Sequence, residues 1–358
     1  MTRINEYIAQ SPEFDKNMSL PLMHGAFDLF VSQNNSPNTF ITQEMIDGAR
    51  LSAGREFKIP ALDWNGDVEV KNVRSCVIPK SHNNSRLVKV TFADFVVDFT
   101  LIPALHQNNY ISLQRDFTRK MRDRMTALAK ALDITALATL SANKSLVFND
   151  LIGHELTPDN AVVTRNWSNG SNMLGSISPI MWANNYNKGI HIVGNAGIKA
   201  QTLILMQLGQ NQAINKALEL NGLTFHYTGN LENEDDVVSG LPFYGSGFAV
   251  EDGNIGFLTV QGREHLRNMN VGEKAKLTFL SPELRIPLDY YTYRDVQDVS
   301  SEVGEPDMIC NEVEFHSFAV SAAFVTAFNS HPEQVPNPIF KFALTQPLAG
   351  IPTVQMPL

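Results

Sequence analysis

The chain has 358 residues, a formal net charge of −9 at neutral pH and a hydrophobic fraction of 43 %. Only 18 % of its residues are charged, whereas ordinary soluble domains contain about 25 %. Asn, Gln, Ser and Thr supply the remaining polar surface, and such a surface suits burial against further copies of the same chain. The acidic total argues against a dedicated nucleic-acid reader, while local basic faces stay open.

The sequence carries no membrane or export signal. Its longest uncharged apolar stretch, around residues 320–328, is shorter than the roughly 20 residues that cross a bilayer. The N-terminal residues lead into a polar segment without a signal-peptide core, so we do not expect export by that route. Cys76 and Cys310 cannot form a disulfide framework, and we expect two buried thiols in a reducing compartment.

Residues 1–52 are predicted to form an extended arm. Asn-rich stretches interrupt short apolar groups, and prolines such as Pro21 and Pro37 block long helices. One short helix is expected over residues 42–52, because Thr42 can cap its first turn.

Residues 53–106 are predicted to form a long β loop. Two strand-like segments at 57–62 and 68–73 flank an Asn65-Gly66 turn signal. A further connection leads into one long strand over 87–102. Because a two-stranded excursion is marginally stable alone, we expect this loop to lie on a neighbouring copy.

The clearest helix of the sequence covers residues 110–144. Its apolar residues share the i, i+3, i+4 spacing of one buried stripe: Leu113, Phe117, Met121, Met125, Leu128, Leu132 and Ala136. The opposite face carries the basic residues Arg115, Arg119, Lys120, Arg122, Arg124 and Lys130. Two interpretations stay open for this face. It is either solvated and paired with acidic neighbours, or it contacts nucleic-acid phosphates without sequence preference.

Residues 155–312 are predicted to form a compact α/β unit. Strands are expected at 189–194, 223–227, 253–260, 276–280 and 285–293, with a helix over 198–220. Gly194 and Gly197 lie between a strand and a helix, as in phosphate-binding loops, but the complete glycine motifs are missing. A plain turn is therefore favoured there. A flexible turn is likewise favoured over a nucleophile elbow at residues 245–247.

The C-terminal region is poor in charge and rich in proline. From residue 315 onwards only Glu333 and Lys341 are charged. Strands are predicted at 313–328 and 339–344, and we expect the remainder to lie against protein. The nine histidines show none of the usual metal-ligand spacings. The sequence therefore predicts no catalytic residue, no metal site and no cofactor.

Local patterns and the order of the elements together resemble one known family. The segments are Gly54-Arg-Glu-Phe-Lys-Ile-Pro, Asp98-Phe-Thr-Leu-Ile-Pro-Ala, Asp116-Phe-Thr-Arg-Lys-Met, Gly253-Asn-Ile-Gly-Phe-Leu and Arg285-Ile-Pro-Leu-Asp. With this layout the chain resembles the tailed-phage major capsid proteins. The resemblance implies an α+β fold of the Hong Kong 97 type, with an N-terminal arm, an extended β-hairpin loop, a long spine helix, a peripheral domain and an α/β axial domain.

The resemblance also implies domain boundaries. The arm would cover residues 1–52 and the extended loop 53–106. The peripheral domain would combine 107–154 with 313–330, the axial domain would cover 155–312, and an extended tail would cover 331–358.

A structural, non-enzymatic virion protein is the function that the resemblance implies. Its copies would form the hexamers and pentamers of an icosahedral shell around double-stranded DNA, assembled in the host cytoplasm without a membrane. Because the chain reaches its arm almost at once, the resemblance implies either a separate scaffolding protein or none, and portal and accessory capsid proteins are expected partners. The expected inner-face DNA contacts are Arg115, Arg119, Arg122 and Lys130.

Two alternatives stay open. An encapsulin-like compartment would have the same fold but would enclose cargo enzymes. A soluble enzyme would bind a nucleotide through the turn at Gly194 and Gly197.

Overall fold

A computed structural model provides the structure of the chain. It describes residues 4, 7, 24–52, 57–61, 86–106, 112–157, 161–164, 173–208, 222–235, 243–261, 270–271, 274–298, 310–329 and 332–344. These residues combine helices with largely antiparallel sheets, so the predicted α+β class is confirmed. The chain divides into two compact units. The first comprises residues 1–21, 39–135 and 255–328, and the second comprises residues 22–38, 136–254 and 329–358.

The described elements have the following bounds. The helices are α1 (Gly25–Gln33), α2 (Gln43–Leu51), α3 (Leu113–Ala142), α4 (Met173–Ala183) and α5 (Ala196–Leu208). The strands of the first unit are β1 (Phe57–Ala61), β2 (Arg86–Val90), β3 (Ala93–Leu101), β9 (Ile255–Val260), β10 (Asn270–Val271), β11 (Lys274–Leu280), β12 (Pro287–Asp298) and β13 (Cys310–Thr326). Those of the second unit are β4 (Glu155–Leu156), β5 (Val162–Thr164), β6 (Ile190–Gly194), β7 (Leu223–Tyr227), β8 (Gly245–Glu251) and β14 (Ile339–Leu344).

A long central strand organises the first unit. The 17-residue β13 pairs with β12 along residues 310–319 and with β9 along 321–326. Its other edge pairs with β3 along 314–322, and β10 and β11 extend the antiparallel sheet beyond β12. Strands that are far apart in sequence therefore meet on one strand, which confirms the strand predicted at 313–328.

The long helix α3 packs on this sheet, as its apolar stripe predicts. The ring of Phe117 lies 5.5 Å from that of Phe99 and 5.1 Å from that of His316, measured between centroids. Met121, Met125 and the other core-facing members of the stripe are buried. The helix is long and apolar enough to span a membrane, but its apolar side is occupied by protein contacts.

The helix α2 and the β1–β2 hairpin form a smaller layer of the first unit. The hydroxyl of Thr42 accepts a hydrogen bond from the backbone of Met45, so the predicted cap is present. Ile59 and Val90 of the hairpin pack in the same apolar cluster as Leu258 of β9. The described part of the predicted loop is thus attached to its own unit through one apolar face.

The second unit contains a mixed sheet in the order β4-β5-β14-β8-β6-β7. The pairs β5/β14 and β6/β7 are parallel, and the other pairs are antiparallel. Ile177 of α4 and Ile198 of α5 pack against Ile192 and Phe342 of the sheet. The strands predicted at 189–194, 223–227 and 339–344 are confirmed.

One part of the predicted extended arm is helical. Residues 25–33 form α1, and Phe27, Leu29 and Phe30 are buried. The segment contains no proline and its apolar side chains have helical spacing, and both features favour a helix. The asparagines and prolines around it favour an extended chain, which is the conformation that the sequence predicts here.

The strand predicted over 87–102 is divided in two. Its first part, β2, pairs with β1, whereas its second part, β3, pairs with β13 of a different sheet. The chain changes partner at Thr91 and Phe92, and a continuous apolar pattern cannot reveal such a change. The predicted Asn65-Gly66 turn lies outside the described residues.

The division into units differs from the predicted domain boundaries. Residues 255–298 were expected in the axial domain, but β9 and β12 pair with β13 in the first unit. The predicted tail contributes β14 to the sheet of the second unit. Long-range strand pairing decides both assignments, and local sequence patterns carry no information about it.

Three local expectations are also corrected. Cys310 is exposed at the end of β13, while Cys76 lies outside the described residues. Residues 245–247 begin the buried strand β8, so they do not form a flexible turn. The helix α5 begins at Ala196, two residues before the predicted start, and its predicted end lies outside the described residues.

Candidate interaction surfaces

The basic residues of α3 point in three directions. Arg115, Arg119 and Lys130 are exposed, and the helical repeat of 3.6 residues brings them to one side. The acidic Asp116 and Asp123 lie near the same side, so this surface is of mixed charge. Three of the four predicted DNA-contacting residues therefore share one accessible face.

Arg122, the fourth of these residues, follows Arg119 by three positions, so it lies near the same side of the helix, at the border of the buried face. It is half-buried, and its charge acts on Tyr7 and Glu283. Burial raises the pKa of the Glu283 carboxyl, and a hydrogen bond with Tyr7 and the charge of Arg122 oppose that rise. The charge of Arg122 therefore acts on a carboxyl group inside the unit, and its contact with DNA stays a prediction.

Lys120 and Arg124 lie on the other flank of α3. The Nζ atom of Lys120 donates a hydrogen bond to the carbonyl oxygen of Thr100, at 2.9 Å, and lies 3.4 Å from the carboxylate of Asp116. Arg124 borders a groove of the first unit. Lys120 is therefore paired with neighbouring groups of its own chain, as the first of the two interpretations of the basic face predicts.

The outer face of the β1–β2 hairpin carries two lysines. Lys58 and Lys89 are exposed and lie directly opposite each other in the antiparallel register. Leu87, two residues from Lys89 and on the same face, is 65 % exposed. The two ammonium groups give this face a local positive charge, and an anionic surface is complementary to it.

The end of the β12–β13 ribbon has the opposite charge. Val296 and Glu312 are cross-strand partners, and Asp298 lies on the same face two residues further along. Val296 is 65 % exposed and both carboxylates are exposed. Arg294 pairs with Glu312 at 3.2 Å and with Glu314 at 2.8 Å, so it offsets only part of the negative charge.

The turn at Gly194 and Gly197 is filled by the protein itself. The Oδ1 atom of Asn195 accepts hydrogen bonds from the backbone of Gly197 at 3.1 Å and of Ser246 at 3.2 Å. A Cβ atom on Gly197 would overlap the carbonyl oxygen of Tyr244. Because strand β8 occupies the start of α5 and the first backbone N–H groups have partners, a phosphate has no place there.

A hydrogen-bonded chain of side chains crosses the second unit. The backbone N–H of Gly253 donates to Oε1 of Gln33 at 2.6 Å, which turns the Gln33 amide so that its Nε2 donates to Nε2 of His191 at 3.0 Å. Nδ1 of His191 then carries the proton and donates to Nε2 of His226 at 3.2 Å. Asp252 lies 3.3 Å from Nε2 of His191. The direction of the chain follows from the Gly253 amide, which can only donate.

Both imidazoles of this chain are held neutral. Burial lowers the pKa of His191, and burial together with the neighbouring His191 lowers the pKa of His226 to about 4. Burial alone would raise the pKa of Asp252, but hydrogen bonds from Asn38 and Ser36 outweigh it and hold this pKa below its usual value. Among the described residues no group of three or more His, Cys, Asp or Glu is arranged for a metal ion. The cluster is therefore a polar anchor between residues 33–38 and the sheet.

No protein-family model and no curated protein matches the sequence. Solved structures from phages superpose on most of the chain. A structure from Mycobacterium phage Bobi is 11 % identical, covers 93 % of this chain and 94 % of its own, and has a TM-score of 0.44. The capsid of Ralstonia phage GP4 is 8 % identical, with coverages of 85 % and 87 % and a TM-score of 0.42. The satellite phage P4 procapsid is 8 % identical, with coverages of 87 % and 93 % and a TM-score of 0.38.

The filled turn leads to a test with two matched glycines. We expect Gly197→Ala to destabilise the protein by roughly 2 kcal/mol, because the added methyl group overpacks against β8. Gly175→Ala, in helix α4 where no atom lies within 4 Å of the added Cβ, should instead stabilise it by about 0.5–1 kcal/mol. Thermal unfolding of both variants measures the difference, and equal melting temperatures would contradict the packing described for Gly197.

The histidine chain leads to a pH dependence. Between pH 6.5 and about 4 the unfolded chain binds a proton at His226 that the native protein does not bind. The free energy of unfolding should therefore fall as the pH is lowered through this range, by roughly 3 kcal/mol over the whole shift. In His226→Gln, which keeps an acceptor for His191, this contribution should vanish. Urea unfolding at a series of pH values measures it, and identical pH profiles for the two proteins would exclude a role for His226.

Proposed function

We propose that the chain is the major capsid subunit of a tailed phage, with a fold of the Hong Kong 97 type. The observation that carries the proposal is the 30-residue helix α3, which follows the β hairpin and continues from the first unit into the second. A helix in this place in the chain order corresponds to the spine helix that the resemblance implies. The sheet of the first unit and the mixed sheet of the second correspond to the peripheral and axial domains, with boundaries changed as described above.

Two charged surfaces of the first unit support contacts between copies. The hairpin face presents Leu87 beside the pair Lys58 and Lys89, and the ribbon face presents Val296 beside Asp298 and opposite Glu312. Each has an exposed apolar side chain with charged neighbours, and the two signs are opposite. Because they are different surfaces of one chain, a contact between them is heterologous, and such contacts form rings where the rotation between copies closes. Hexamers and pentamers are rings of this kind.

Packaged double-stranded DNA would contact the exposed basic residues of α3. Arg115, Arg119 and Lys130 can reach phosphates from one side of the helix, without reading the base sequence. Arg122 lies at the border of the buried face, and its charge also acts on the interior of the first unit. The acidic remainder of the chain limits nonspecific binding elsewhere.

A structural, non-enzymatic role in the virion follows from this proposal. Assembly would take place in the host cytoplasm with separate scaffolding, portal and accessory proteins. The nucleotide-binding alternative loses its support, because the turn at Gly197 is filled by β8. An encapsulin-like compartment would differ in its content, so the nucleic acid inside purified particles separates it from a capsid.

A charge exchange tests the contact between copies. The double variant Lys58→Glu/Lys89→Glu should fold but should not form particles, and the same holds for Asp298→Lys/Glu312→Lys. Combining both pairs of changes in one chain restores opposite signs and should restore assembly. Light scattering and electron microscopy measure particle formation, with Lys188→Glu of the second unit as a matched control. Failure of the combined variant, with both doubles folded, would contradict the contact.

A second comparison separates the DNA-facing residues from Arg122. We expect Arg115→Gln/Arg119→Gln/Lys130→Gln to form shells with less packaged DNA, because three phosphate contacts are lost. Arg122→Gln should instead lower the stability of the subunit, because it leaves a partly buried carboxylate without its counter-charge. Absorbance of purified particles measures the DNA, and thermal unfolding measures stability. The opposite result, with less packaged DNA in Arg122→Gln and lower stability in the triple variant, would contradict these two roles.

A further inference from the structure

An aromatic row lies on the sheet face of the first unit opposite to the face of His316, on which Phe117 of α3 packs. Side chains alternate along a strand, so Phe315 is opposite in direction to His316, which contacts α3. The rings of Tyr293 and Phe315 stack with centroids 4.6 Å apart and planes within 4°, and Tyr291 lies 5.5 Å from Tyr293. These three rings are only half-buried. Tyr293 and Phe315 cover one face of each other and Lys276 lies over the ring of Tyr291, so the remaining ring surface is open to a ligand.

The aromatic row belongs to a groove of about 770 Å³, a volume within the range of about 300–1,000 Å³ that is usual for ligand sites. Its charged lining residues are Asp98, Lys120, Asp123 and Arg124. The two carboxylates and two basic groups balance each other. Polyanions therefore gain nothing from this groove, and an uncharged ligand suits it.

The groove also offers hydrogen-bond donors beside its aromatic rings. The hydroxyls of Tyr291 and Tyr293, the hydroxyl of Ser317 and the guanidinium of Arg124 can all donate. A ligand whose polar groups are mainly carbonyl acceptors fits such a site. Proline-rich segments have this character, because proline has no N–H and an extended segment has no internal hydrogen bonds.

The C-terminal residues 345–358 have the matching composition. They contain no charged side chain, and they carry Pro347, Pro352 and Pro357 together with apolar residues such as Ile351 and Val354. Proline-rich segments bind to aromatic-lined grooves in several protein classes, because their extended conformation costs little entropy to fix.

We propose that residues 345–358 of a neighbouring copy bind in this aromatic groove. The proposal rests on the proposed function, because a shell holds a second copy nearby and supplies its tail at high effective concentration. The tail would link subunits without any charged contact. This link would persist at high salt, whereas the contact between the hairpin and the ribbon is weakened by screening.

A photocrosslinking experiment on the full chain tests this proposal. Val354→p-benzoylphenylalanine is introduced, isotope-labelled and unlabelled copies are mixed before assembly, and the irradiated product is analysed by mass spectrometry. We expect crosslinks between differently labelled copies to peptides that contain Tyr291, Tyr293 or Phe315. Tyr291→Ser/Tyr293→Ser should reduce them at least tenfold, whereas Leu280→Ser, at an exposed position of the neighbouring strand β11 outside the groove, should not. Crosslinks confined to one copy or to other surfaces would overturn the proposal.

A binding measurement makes the test independent of assembly. A fluorescent peptide of residues 345–358 should bind the full chain in an anisotropy titration, and replacing its three prolines by alanine should weaken binding at least tenfold without altering the receptor. Equal binding of both peptides, or none, would overturn the tail proposal. Particles that form without groove crosslinks would overturn it and leave the proposed function intact. Absence of particles from the unsubstituted chain would instead count against the proposed function.

Discussion

The pairing of β13 with its neighbours is the interaction on which the first unit depends. This one strand holds β12 and β9 on one edge and β3 on the other, so it joins segments from three separate parts of the sequence. Its inward residues His316 and Phe318 form the surface on which Phe99 and α3 pack. Without this strand neither the helix nor the hairpin that precedes it would have a fixed position within the unit.

The surfaces used in the proposals are products of the same sheet. Strand alternation sends one set of side chains to the core and leaves Tyr293 and Phe315 on the other face. The ribbon formed by β12 and β13 extends to the exposed Asp298 and Glu312. The hairpin is attached through Ile59 and leaves Lys58 outward. The alternation of side chains along the strands thus places apolar residues in the core and leaves aromatic and charged residues on the surfaces that the proposals use.

The sequence predicted those features that depend on local periodicity. The spacing of Phe117, Met121 and Met125 predicted α3 and its buried side, and apolar runs predicted β6 and β14. The helix α1 has a local signal in the i, i+3 spacing of Phe27 and Phe30, but the nearby asparagines and prolines favour an extended chain. A local pattern could show neither the change of partner between β2 and β3 nor the assignment of 255–298 to the first unit. Both follow from pairing between distant strands.

The same distinction applies to individual side chains. Helical spacing places Arg122 near Arg115 and Arg119, but its charge also acts on Glu283, more than 150 residues away in the sequence. The glycines at 194 and 197 were correctly interpreted as a turn, although only the structure reveals that Asn195 and β8 fill it. The environment of such a side chain depends on its tertiary neighbours, which a single sequence does not show.

Electron cryomicroscopy of the purified, unsubstituted chain tests most directly whether it is a shell subunit. We expect closed particles in which α3 and both units are recognisable in every subunit, with the hairpin face of one copy against the ribbon face of the next. A protein that stays monomeric at all concentrations and salt conditions, also in the presence of a scaffolding protein, would contradict the assignment.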